Sequence, residues 1–190
     1  MKQFSDVEFE VRWLPFQLDP NAPEKPSSKM EAYAKKFRKS KEEVKQMGGW
    51  MKGKFDAVGL PYAFTEAGVV SNTFDAHRVL TAAYQHGGAA AQDKAAEALF
   101  HSYFAMEKAP NDPEELKKAA AAAGLDGDAL VSDKTLLAAE TKDELKVGQQ
   151  LRVSGVPHFV IRADGSSQAQ QISGAQPTEE FVHVLRSVAR

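Results

Sequence analysis

The chain contains no cysteine. That excludes disulfides and thiolate metal sites, and it leaves these residues without a thiol nucleophile of their own. No run approaches the roughly 18 consecutive apolar residues of a membrane span. Neither sign of charge dominates: 24 Lys and Arg stand against 26 Asp and Glu, so nothing suggests nucleic-acid binding. The opening Met1-Lys2-Gln3-Phe4-Ser5-Asp6 lacks the apolar core of a signal peptide, and a soluble, cytoplasmic protein is expected. There is no Gly-x-Ser-x-Gly, phosphate loop or dinucleotide fingerprint. The five histidines, His77, His86, His101, His158 and His183, include no pair at the four-residue spacing of a helical zinc site. Glu97 and His101 form a single carboxylate–histidine pair, read as a surface contact, so no metal is expected.

What is present has an α/β order in three parts. Val7, Phe9, Val11 and Trp13 alternate with Glu8, Glu10 and Arg12, a period of two that predicts a strand from Val7 toward Leu18, ended by Pro15. Pro20, Pro23 and Pro26 mark an extended loop. From about Met30 to Leu151 the pattern is helical. One helix is expected over Met30 to Met47, interrupted by Gly48-Gly49 and resumed over Trp50 to Val58. Another follows an N-cap at Asn72 and closes at Gly87-Gly88. A third spans Asp93 to Lys108, with Ala96, Leu99, Phe100, Tyr103 and Phe104 inward. Asp112-Pro113 starts an alanine-rich helix stopped by Gly124, and Thr135 to Arg152 is the last of this part. The chain then returns to β. His158 to Ile161 and Gln168 to Ser173 read as a hairpin about Ala163-Asp164-Gly165-Ser166. Pro177-Thr178-Glu179-Glu180 opens a final helix whose buried stripe is Phe181, Val184, Leu185 and Val188.

Two segments carry chemistry. Val156-Pro157, just before a strand, is either a cis-proline presenting the Val156 backbone to an extended ligand or a trans-proline opening a strand. Asn72-Thr73-Phe74-Asp75-Ala76-His77-Arg78 crowds polar groups at a helix start. It is either an anion-attracting terminus or a capping motif with His77 on a half-buried face. The lysines and arginines from Lys29 to Lys54 are interrupted by Glu31, Glu42 and Glu43 and read as a solvated helix face.

Several blocks together resemble a known family. They are Val11-Arg12-Trp13-Leu14-Pro15-Phe16-Gln17-Leu18 with Pro20; Asn72-Thr73 with Ala76-His77-Arg78; Leu99-Phe100 with Tyr103-Phe104; Val153-Ser154-Gly155-Val156-Pro157 with Phe159-Val160-Ile161; and Ile172-Ser173-Gly174-Ala175-Gln176-Pro177. In this order the chain resembles the DsbA-family thioredoxin domain, in particular its FrnE-like branch. That branch is related to 2-hydroxychromene-2-carboxylate isomerases and kappa-class glutathione transferases. The resemblance implies an α/β, thioredoxin-like fold, with core portions at 1–28 and 153–190 and a large helical insertion at 29–152. It implies a cis Pro157 facing the active site, and substrate contacts at Val156, Pro157, Asn72, Thr73, His77, Arg78, Gly174, Ala175 and Gln176.

The family opens with a strand and then a Cys-x-x-Cys, or a serine in the isomerase branch, at the start of its first helix. By this resemblance Met1-Lys2-Gln3-Phe4 is the tail of that helix. The expectation is a chain missing its N-terminal βα unit, whose catalytic residues lie upstream of Met1. Burying the four or five apolar side chains of such a strand contributes roughly 10 kcal/mol, comparable to the net stability of a domain. The expected activity is thiol–disulfide exchange on a protein or small-molecule thiol or disulfide, in a truncated or redox-inactive form. No cofactor is expected, with glutathione as a candidate cosubstrate. The alternatives are a glutathione-dependent isomerase or transferase, and a non-catalytic thioredoxin-fold binding module.

Overall fold

The computed structural model describes residues 4–189. The reading of Met1-Lys2-Gln3-Phe4 as a helix tail falls largely on residues 1–3, outside the described residues. The chain forms two compact units, residues 1–144 and 145–190.

The first unit is built on helices. Strand β1 (Ser27–Ser28) pairs antiparallel with β2 (Val69–Val70). Against this short ladder packs α1 (Lys29–Phe37), and the unit also holds α2 (Lys41–Asp56), α3 (Phe74–Phe100), α4 (Pro113–Ala122) and α5 (Gly127–Ser132). The core sits where α3, α4 and α5 meet, on Val79, Ala82, Ala83, Ala95, Leu116, Ala119, Ala120, Ala123 and Leu130. Small side chains let these helix axes approach closely. The alanine run divides by face: Ala119 and Ala120 are fully buried, whereas Ala121 and Ala122 are exposed. Asp112 caps α4, accepting from Glu114 N at 3.0 Å, with Pro113 in the first turn, and Gly124 follows its end at φ +81°.

Several expected boundaries move. No strand forms over Val7 to Leu18. The segment is extended, but no strand lies beside it among the described residues, and Val7, Val11, Trp13, Leu14 and Leu18 are exposed. Alternation specifies a strand only when a ladder partner is present to accept it. Gly48-Gly49 does not interrupt α2. The break comes earlier, at Arg38 in the left-handed region (φ +54°), and α2 restarts from a capping box between Ser40 and Glu43. Gly87 (φ −143°) and Gly88 (φ +64°) are non-helical, so the helix that opens at Phe74 closes there as expected, and α3 is two helices running on across that kink. The expected helix over Asp93 to Lys108 gives way at His101–Ala105 to a π-helical turn, and Phe100 is 45% exposed rather than inward. The wider turn releases backbone carbonyls: Phe104 O accepts from Ala63 N at 2.8 Å, and Tyr103 O accepts from Lys29 Nζ at 3.3 Å. Helix α5 has no counterpart among the expected elements, and α6 (Ala138–Gln150) begins three residues later than expected.

The second unit holds the last turns of α6, the hairpin of β3 (His158–Ile161) and β4 (Gln170–Ser173), and α7 (Thr178–Val188). The hairpin register sets His158 opposite Ser173 and Phe159 opposite Ile172. Strand alternation therefore gives two faces. Phe159 and the buried Ile172 share one, where Phe159 meets Phe181 of α7 edge-on at 4.8 Å. His158, Val160, Gln171 and Ser173 share the other. The stripe expected on α7 is only half-buried: no residue of that helix is fully enclosed.

Candidate functional site

In the second unit, Val153 N donates to Gly148 O at 2.9 Å, so the connection turns directly off the end of α6. The Val156–Pro157 peptide bond is cis. Pro157 O accepts from Gly174 N at 2.8 Å, which ties the loop entering β3 to the residue leaving β4. Gly174 has φ +80°, a conformation that favours glycine. Gln176 folds back so that its Nε2 donates to Ser173 O at 2.9 Å. Val156, Pro157, Gly174 and Gln176 thus belong to one end of the hairpin. Val156 is 48% exposed, and its N–H and C=O enter no described hydrogen bond. β3 pairs with β4 along one edge, and no other strand lies beside it among the described residues.

The same hairpin carries a group whose arrangement the linear sequence conceals. Ser173 Oγ lies 3.0 Å from His158 Nδ1, and Gln171 Oε1 lies 3.0 Å from His158 Nε2. Cross-strand register brings these residues together. Inspection of histidine spacing has no means of finding them, because a hairpin partner is distant in sequence.

In the first unit, Asn72, Thr73, His77 and Arg78 occupy the start of α3, and most of their polar atoms are engaged internally. Asn72 Oδ1 accepts from Phe74 N at 2.8 Å and from Gln17 Nε2 at 3.1 Å, while its Nδ2 donates to Pro20 O and Ala22 O. Asn72 caps from one position before the N-cap, which is Thr73 without a side-chain cap bond. Arg78 is 2% exposed. It donates to Leu136 O, Leu130 O and Asp133 O and pairs with Asp75 Oδ1 at 2.9 Å. Lys134 pairs with the other Asp75 oxygen at 2.9 Å. Desolvation acts to raise the Asp75 pKa, but the hydrogen bonds and charges of Lys134 and Arg78 outweigh it and hold that carboxyl below its ordinary range. A cavity of about 60 Å³ lies against Asp75, Arg78, Asn111 and Lys134, with apolar walls that include Leu116 and Leu130. His77 Nε2 contacts Phe16 O at 3.2 Å. Its Nδ1 is buried without a partner, and burial pushes the ring pKa down to about 4.

A short hairpin packed on a terminal helix, entered through Val156-Pro157 and joined to a large helical unit, defines a thioredoxin-like α/β protein with a helical insertion. The model of the DSBA-like thioredoxin domain matches residues 2–186, and the chain belongs to that family. Among solved structures it is similar to the crystal structure of a probable DsbA oxidoreductase from Streptomyces coelicolor. The TM-score is 0.80 and the identity 29%, over 92% of this chain and 73% of that one. No curated protein matches the chain. The family is of the thiol–disulfide oxidoreductase type.

Proposed function

We propose that this chain serves thiol–disulfide exchange by holding an extended cysteine- or cystine-bearing peptide along the Val156–Pro157 end of the hairpin. The observation that carries this reading is Val156: the residue is exposed, its backbone is free of described hydrogen bonds, and it is set beside a strand whose second edge has no described partner. A peptide strand pairs there through its main chain, so recognition is tolerant of sequence. Gly174 and Ala175, with minimal side chains, leave the approach open. The thiolate that attacks the substrate sulfur is not among these residues. In this reading a separate thiol, glutathione or a protein thiol, supplies it: a new S–S bond forms to the attacking sulfur, and the other substrate sulfur leaves as thiolate.

The test is a nuclear magnetic resonance titration with an unfolded peptide carrying one disulfide. Shifts are expected at the amides of Val156, His158 and Gly174, and N-methylation of the peptide backbone should remove them. Shifts confined to the start of α3, or binding indifferent to N-methylation, would overturn the reading.

A further inference from the structure

The polar face of the hairpin holds the parts of a nucleophilic site. Gln171 presents its carbonyl oxygen to His158 Nε2 at 3.0 Å. A carbonyl only accepts, so with the amide in this orientation Nε2 carries the ring proton and Nδ1 keeps its lone pair. Ser173 Oγ, 3.0 Å from Nδ1, therefore donates its hydroxyl proton toward that lone pair. These are a nucleophile, a base within reach, and a third group that fixes the base's tautomer and ring orientation. Ser173 and Gln171 are exposed and His158 is half-buried, so the hydroxyl is open to a solute while the ring is held by its two hydrogen bonds. Ser173 ends β4, and Gly174 beyond it places no side chain across the approach.

We propose that Ser173 is an acyl-accepting nucleophile, with His158 as its general base and Gln171 as the residue that positions His158. Its substrates are small esters with good leaving groups. Ser173 Oγ bonds to the acyl carbon as its proton passes to His158 Nδ1. The tetrahedral adduct collapses by breaking the bond to the leaving oxygen, which takes the proton from Nδ1, or departs as the anion while Nδ1 gives that proton to solvent. Water then attacks the acyl-serine as one of its protons passes to Nδ1, and this second adduct collapses by breaking the acyl–Oγ bond, Oγ taking the proton back from Nδ1 as the acid leaves. General-base assistance contributes about 10²–10⁴-fold. A tetrahedral oxyanion also needs donors, each worth roughly 10²–10³-fold, and the Gly174 N–H next to Ser173 is already committed to Pro157 O at 2.8 Å. The scope is therefore activated esters and not amides.

The experiment uses p-nitrophenyl acetate with the full chain. Nitrophenolate release is followed by absorbance, and the acetyl group is located by peptide mass spectrometry. Acetylation of Ser173 is expected, lost in Ser173→Ala and slowed about 10²-fold in His158→Phe, with Gln171→Leu falling between. A Ser173→Cys variant gives a second readout that does not depend on turnover. Its thiol should react with iodoacetamide at least tenfold faster with His158 present than with His158→Phe, each variant being checked for an intact hairpin by its amide spectrum. Acetyl groups on lysines alone would overturn the proposal. So would acetylation of Ser173, and alkylation of the thiol in the Ser173→Cys variant, that are both indifferent to His158.

Discussion

The side-chain amide of Gln92 stands in for a neighbouring β-strand to Trp13. Its Oε1 accepts from Trp13 N at 2.8 Å and its Nε2 donates to Trp13 O at 2.8 Å. Nε2 also donates to Leu80 O at 3.1 Å, and the residue is fully buried. The extended N-terminal segment is thus docked onto α3 by side chains. Besides Gln92, His77 meets Phe16 O, Asn72 meets Gln17, and Arg12 pairs with Glu144 at 2.6 Å while lying over the Tyr84 ring.

Replacing Gln92 with leucine preserves bulk and removes three hydrogen bonds at a buried position. At about 1 kcal/mol per bond, with more for groups left unsatisfied, a loss of about 3 kcal/mol is expected by urea unfolding. Hydrogen exchange at the Trp13 amide should accelerate by more than the global change in stability accounts for.

Arg78 holds three carbonyls and one carboxylate from a buried position. Arg78→Ala strands Asp75 without its buried partner, and a loss of about 3–5 kcal/mol is expected. Arg78→Lys should recover less than half of it, because one ammonium cannot span the directions of a planar guanidinium. Equal stability of the lysine variant and the parent in chemical denaturation would refute this.

His77 predicts acid sensitivity. Its pKa lies near 4 in the folded chain because of burial, against about 6.5 when unfolded. Between these values the unfolded chain binds the proton and the folded chain does not. Stability from this group is therefore full above pH 6.5 and is lost as pH falls through about 4, by at most roughly 3 kcal/mol. His77→Gln removes the titration. The stability difference between parent and variant should shrink or reverse as pH falls from 7 to 4, and a difference independent of pH would count against it.

Glycines in α2 should respond with opposite signs. A Cβ at Gly48 would collide with the Phe64 ring, whereas one at Gly49 or Gly53 meets nothing within 4 Å. Gly49→Ala and Gly53→Ala should each stabilise by about 0.5–1 kcal/mol through helix propensity. Gly48→Ala should destabilise by about 1–3 kcal/mol through overpacking. Thermal unfolding of the three variants separates the cases.

Much of the architecture was legible in residue order. The hairpin, the turn at Asp164-Gly165, the cap at Asp112-Pro113 and the start of α7 rest on local chemistry that acts over three or four residues. Helix ends were less legible. Ser40 and Glu43 cap α2 through bonds that composition does not weigh, and Gly48-Gly49 passes for punctuation although Gly48 is a packing contact. Of the proposed site, Val156-Pro157 and Gly174 stand in blocks that the sequence already singles out. Gln92 carries no motif at all, and Ser173, His158 and Gln171 become a group only through register.

The sequence by itself determined the family, the absence of a thiol among these residues, and the local elements, because backbone preference and side-chain period are properties of neighbours along the chain. Tertiary structure alone decided that Val7 to Leu18 is an extended segment bound by side chains instead of a strand. It also decided that Arg78 is an internal clamp and that His158 lies between Ser173 and Gln171. Those outcomes depend on which partners arrive from other parts of the chain, and the pairing of polar side chains has no short-range signature.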